Sequence, residues 1–166
     1  MSRNKRLSIL NAAEVEDLYG VPSFNESYQR FYFALNDKEL AEISRIRQRK
    51  YRCVAIALLG YFKCKPVLLN PRYKSMQDDL AFIARFHYRD LTFRRFSLKP
   101  DQKSRIYARV LSIVGVSNWN DKRHQPQLVE HLCTCAESWV EPRALFDAAI
   151  EYLARQKIAI PAYSTL

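Results

Sequence analysis

The chain has 166 residues, with 27 Lys and Arg against 17 Asp and Glu, a formal net charge of +10 at pH 7 and 48% apolar residues. That apolar share excludes a disordered basic tail, and the absence of any apolar run of about 18 residues excludes a transmembrane helix of the usual kind. Three glycines are too few for Gly-rich phosphate loops or a turn-rich β-sandwich.

In chain order, Asn11 with Glu14 three residues later reads as a capping box opening a short helix that ends at Gly20, before Pro22. Asn25 or Ser23 caps a second helix through Tyr28, Phe31 and Tyr32, and Asn36 with Glu39 repeats the capping signal. No Gly or Pro separates Asn36 from Gly60, so the segment is one long helix or two with a hidden turn. Tyr51, Val54, Ala55, Leu58, Leu59 and Phe62 recur with helical periodicity and a wide apolar face, stopped by Pro66. Residues 66–74 read as a connection, and Ser75 as the cap of a helix carrying Leu80, Ile83, Ala84 and His87.

Residues 88–98 fit either a strand-like stretch or a loop docked by Leu91, Phe93 and Phe96. Pro100 stands in the first turn of a helix closed by Gly115; another runs from about Pro126 to Val140, and Pro142 opens the last. The tail Ile158–Pro161 reads as extended. The expected fold is all-α, with about seven or eight short helices in two small helix-turn-helix-like subdomains, residues 1–70 and 71–166.

Charge is distributed unevenly. Residues 45–74 hold nine Lys or Arg and no acid, and residues 91–109 hold six against Asp101 alone. A solvated helical face ordinarily alternates signs, so blocks of one sign call for an anionic partner, nucleic acid being the commonest. In the first block, Arg45, Arg47, Gln48, Arg49, Lys50 and Arg52 suit the junction of a helix-turn-helix: guanidinium forks bind phosphate or guanine edges, and Gln48 could read adenine. In the second, Arg94, Arg95, Lys99, Lys103, Arg105 and Arg109 form the candidate contacts, with Arg105 and Arg109 sharing a helical face with Gln102. Arg3, Lys5 and Arg6 fit either a minor-groove arm or a disordered basic start. Six to eight phosphate contacts predict a slope of log Kobs against log salt of roughly −5 to −7.

Asp78 and Asp79, adjacent on a helix, diverge by about 100° and read as acids favouring a helix N-terminus rather than a catalytic pair. His131, Cys133 and Cys135 are poorly spaced for zinc, and the four cysteines read as reduced thiols. No metal, cofactor or catalytic set is expected.

The run Lys5–Leu10, then Ala13–Glu16 and Leu18–Phe24, resembles the start of the large replicative transposases of the Tn-three family. The likeness continues through Phe31–Phe33, Leu40 and Leu59–Lys63 and closes at Ile158–Leu166, so it covers essentially the whole chain. It implies tandem helical DNA-binding domains that recognise the terminal inverted repeats of a transposon. Strand cutting would belong to a distant C-terminal RNase H-like domain with an acidic, magnesium-binding triad.

The chain itself is then expected to be a non-catalytic, cytoplasmic and nucleoid-associated fragment without membrane contact. Its partners would be double-stranded DNA, the rest of the transposase and a second copy in a homodimer of the full-length protein. The alternatives are an RNA or single-strand binder stacking bases on Tyr51, Tyr88, Phe93 and Tyr107, or a protein–protein or dimerisation module.

Overall fold

The computed structural model describes residues 8–138 and 141–163. Over these the protein is all-α, with eight helices: α1 (Ala12–Tyr19), α2 (Glu26–Tyr32), α3 (Asp37–Ser44), α4 (Arg49–Cys64), α5 (Tyr73–His87), α6 (Pro100–Val114), α7 (His124–Ala136) and α8 (Pro142–Arg155). Among the described residues no helix is long and apolar enough to cross a membrane.

The first three helices start where the asparagines place them. The side chains of Asn11, Asn25 and Asn36 accept from the backbone N–H three residues on, and Glu14 and Glu39 close reciprocal bonds to the cap N–H. Gly115 ends α6 in the left-handed region, at φ 69°, with Val116 N–H bonded back to Leu111. Two expected starts move. α5 opens at Tyr73 rather than after Ser75, and α7 at His124, two residues before Pro126, which occupies a first-turn position where no intrahelical N–H is needed. The expected C-terminal end of α7 shortens to Ala136, and Trp139 and Val140 lie outside the described residues.

α4 is the centre of the fold. Every residue from Cys53 to Phe62 is buried, all round the helix, which is the pattern of a core helix rather than a surface one. It packs against α2, α3, α5 and α6, while α7 and α8 form an antiparallel pair. The main core takes Phe33, Ile43 and Leu59 from before residue 66 and Leu80, Ile83, Val110 and Leu153 from after it. It therefore runs across the 66–74 connection, where a border between two subdomains was expected, because α4 supplies apolar surface to both sides.

The tail is extended as predicted and is pinned rather than loose. Ile160 pairs with Val67 and Ile158 with Ser117 through isolated parallel bridges. At the other end, the N–H groups of Ile9 and Leu10 both donate to the Tyr163 hydroxyl, at 2.9 and 3.0 Å.

Gly60 is the point of closest approach on α4. A Cβ there would meet the Phe33 ring at 2.5 Å and the Tyr32 carbonyl at 3.1 Å, and Phe33 is fully buried. Alanine would regain about 1 kcal/mol of helix propensity, against an overpacking cost of about 1–3 kcal/mol. Gly60→Ala should therefore lower stability by up to about 2 kcal/mol in denaturant unfolding, against the propensity ranking.

Asp78 and Asp79 do not sit at a helix N-terminus: they fall in the second turn of α5, with no acid in the first. Asp78 is exposed. Asp79 is buried and accepts from the Tyr61 hydroxyl at 2.6 Å and the Gln29 side-chain amide at 2.8 Å.

Burial pushes the Cys53 thiol and the Tyr19 phenol each up to about 12. It also raises Tyr107 and Tyr61, the latter with a further contribution from Asp79. The folded chain keeps protons that the unfolded chain, with ordinary values near 9 for Cys and 10 for Tyr, releases. Their contribution is complete below pH 9 and is lost as pH rises through the raised values. The melting temperature should fall progressively from about pH 9 toward pH 12, as a series of thermal melts would record.

Candidate nucleic-acid interface

The hidden turn lies at residues 45–48, between α3 and α4. Without Gly or Pro, it is held by a side chain from the following helix. Arg52 Nε donates to the Ile46 carbonyl at 2.6 Å and its Nη2 to the Ser44 carbonyl at 2.8 Å. These satisfy carbonyls left open at the end of α3. Arg52, predicted as a DNA contact, is therefore already engaged with the protein.

Gln48 is the N-cap of α4 but makes no side-chain cap bond, and the first turn carries Arg49, Lys50 and Arg52 with no acid. This inverts the usual preference, since the helix dipole places partial positive charge at that end. Arg47, Gln48 and Arg49 are exposed. Of α4 it is chiefly the start that projects, because Cys53–Phe62 are buried. A helix lying lengthwise in a major groove, as in the usual helix-turn-helix, is therefore not what α3 and α4 offer. They present a helix end.

The second basic block lies against this end. Lys50 Nζ stands 5.3 Å from the Phe96 ring centroid and 5.0 Å from that of Tyr51. Phe96 in turn packs on Tyr51, Tyr73 and Phe93 at 6.1, 5.9 and 5.5 Å. Residues 88–99 are thus a connector docked by aromatics, not a strand, and they carry Arg94 and Arg95 past the start of α4. Nearby, burial raises the Tyr88 phenol against the opposing pull of Arg52 and Arg49.

A second link joins α3 to α6. The Glu42 carboxylate, 23% exposed, pairs with Arg45 and with Arg109, each at 2.8 Å. One acid from the acidic stretch before the first block thus couples both blocks and partly neutralises two predicted contacts. Lys103 hydrogen-bonds the Asn70 side chain and lies with Arg95 along a groove of about 530 Å³ walled by Phe96, Tyr73 and Met76. Lys99, the N-cap of α6, and Arg105 on α6 are exposed.

Among the described residues, Arg47, Arg49, Lys50, Arg94, Arg95, Lys99, Lys103 and Arg105 take part in no ion pair. Arg30, Lys63, Arg123, Arg143 and Arg155 are each paired with a carboxylate, whereas Lys38, Lys65, Arg72, Lys74, Arg85, Arg89, Lys122 and Lys157 also take part in no ion pair among the described residues. Arg3, Lys5 and Arg6 lie outside the described residues.

Tyr51, Tyr88, Phe93 and Tyr107, the rings considered for base stacking, are all partly buried, and the Tyr107 hydroxyl is bonded to the Leu69 carbonyl. Aromatics that do face solvent are Phe31, Tyr28 and Phe86, on α2 and α5. Cys133 is exposed, and Cys135 Sγ lies 3.6 Å from His131 Nε2. The described residues contain no group of three or more His, Cys, Asp or Glu arranged to hold a metal. Sequence reasoning missed Glu42. The one available signal was the spacing of Glu42, three residues before Arg45.

Fold and contacts together define an all-helical protein in which two separate basic stretches of sequence meet near the start of α4. The chain belongs to the family described as Domain of unknown function (DUF4158), whose model matches residues 9–166. No curated protein and no solved structure matches it.

Proposed function

We propose that the chain binds double-stranded DNA in a sequence-specific manner, recognising the terminal inverted repeats of a transposon as the non-catalytic N-terminal part of a transposase. The observation that carries this reading is the meeting of two basic blocks, more than 40 residues apart between Arg49 and Arg94, around the uncapped end of α4. Unanswered cations at one place cost stability unless a polyanion faces them, and a helix N-terminus adds backbone N–H groups aimed at phosphate.

Phosphate contacts from Arg47, Arg49, Lys50, Arg94, Arg95, Lys99, Lys103 and Arg105 would supply affinity and position, with Gln48 and the neighbouring guanidiniums nearest to base edges. The resemblance to Tn-three-family transposases supplies the inverted repeat as the target. It also supplies the remaining partners, namely the rest of the transposase and a second copy in the full-length protein, and a cytoplasmic, nucleoid-associated location. Duplex outranks single strand in this reading because the candidate stacking rings are packed against protein.

Footprinting on duplexes that carry the element's own ends, with unrelated duplex and single strands as competitors, tests the proposal. Protection confined to the inverted repeat and resistant to both competitors is expected. Equal competition by any duplex would remove the sequence specificity, and preference for single strands would remove the duplex.

A further inference from the structure

We infer that the connector 88–99 reads the minor groove, through Arg94 and Arg95, and biases binding toward A·T-rich duplex. This inference rests on the duplex reading above and assigns a place to the second basic block.

Phe93 and Phe96 both turn into the protein and are partly buried, while Arg94 and Arg95 between them are exposed. The segment from Leu91 to Lys99 has no helix or strand. It is anchored on either side of the arginine pair by rings 5.5 Å apart, and Phe96 is further clamped by Tyr51 and Tyr73. Two exposed guanidiniums therefore project from an irregular stretch of chain held by a ring on either side. No carboxylate among the described residues pairs with either.

A minor groove about 6 Å wide excludes a helix but admits an extended segment or an arginine side chain. Where A·T pairs narrow that groove, its negative potential is enhanced and draws inserted arginines. Position supports the same assignment. Lys50, in the first turn of α4, lies 5.3 Å from the Phe96 ring. Adjacent grooves are centred about half a helical turn apart, roughly 17 Å. Two residues of chain span at most about 7 Å, and the arginine's own reach extends this toward the neighbouring groove when the end of α4 faces the major one. Arg95 also lies beside Lys103 along the groove under Phe96, so the phosphates flanking the insertion would find a second cation.

The test uses the 166-residue chain with three duplex polymers: poly(dA-dT), poly(dG-dC) and poly(dI-dC). Inosine keeps guanine's major-groove acceptors but lacks the 2-amino group that marks a G·C pair in the minor groove. The expected order is poly(dA-dT) and poly(dI-dC) alike, both binding at least about fivefold more tightly than poly(dG-dC). In the R94A/R95A double variant that gap should close. R49A should weaken all three polymers and leave the gap in place.

Poly(dI-dC) behaving as poly(dG-dC), equal binding to all three, or a gap that survives R94A/R95A would each overturn the minor-groove assignment while leaving duplex binding intact. At low salt, where phosphate contacts alone hold any duplex, failure to bind any of the three would overturn the duplex reading itself, and this inference with it. Arg94 and Arg95 make no hydrogen bond to the rest of the described chain, so an unchanged melting temperature for the double variant is the accompanying control.

Discussion

Asp79→Ala is expected to destabilise the protein by about 3 kcal/mol, because it strands two donors in the interior. The carboxylate is 7% exposed and accepts from Tyr61, itself 1% exposed, and from Gln29. Removing it leaves the phenol and the amide without their partner and opens a void between α2, α4 and α5. A buried donor without a partner costs about 1–3 kcal/mol. For a chain of this size, each kcal/mol shifts the melting temperature by roughly 2–4 °C, so a drop of about 6–12 °C is expected. The neighbouring Asp78→Ala is the control. Asp78 is exposed, and its loss should stay within about 0.5 kcal/mol. Equal effects at the two positions would contradict the placement of Asp79 as the polar tie between α5 and the central helix.

Arg49→Glu is expected to separate stability from binding by moving them in opposite directions. Arg49 opens α4, where the first turn has three cations and no acid. An acid there interacts favourably with the helix dipole, by about 0.3–1 kcal/mol, so the melting temperature should rise slightly. Duplex affinity should fall roughly tenfold to a hundredfold near 0.1 M salt, since the substitution removes one phosphate contact and adds one repulsion. Thermal melts and a binding isotherm on the same preparation check both signs. A variant that loses stability along with affinity would place Arg49 among the structural arginines, as Arg52 already is.

Several helix ends were legible from the side chain that declares them, though Ser75 and Pro126 misplaced the starts of α5 and α7. Asn11, Asn25 and Asn36 cap as their spacing predicts, and Pro100, Gly115 and Pro142 mark the ends of α6 and the start of α8. The break between α3 and α4 was not legible. Ile46 continues the apolar pattern through the turn, and the group that stabilises it is Arg52, six and eight residues beyond the carbonyls it binds. The continuity of the core past the border expected at residues 70/71 was not legible for a related reason. Local periodicity shows that α4 has a wide apolar face, but not that α5 and α6 cover what α2 and α3 leave open.

At the candidate interface, the two basic blocks were visible as composition, whereas their adjacency was not. It depends on Phe96 docking beside Lys50 and on Glu42 reaching Arg109, both contacts between residues far apart in sequence. Residue type alone also could not separate the arginine that ties a turn from those that face outward. Arg52 and Arg49 lie three positions apart on one helix, yet one binds backbone carbonyls and the other is exposed.

The most direct test of a single duplex-binding face is the salt dependence of affinity, measured on one inverted-repeat duplex for the chain and for two paired variants. Log Kobs should fall with log salt at a slope of roughly −5 to −7. R47A/R49A in the first block and R94A/R105A in the second should each bring the slope closer to zero by about 1.8. A slope near zero for the unaltered chain, or an unchanged slope for either pair, would contradict the claim that both blocks meet the same DNA.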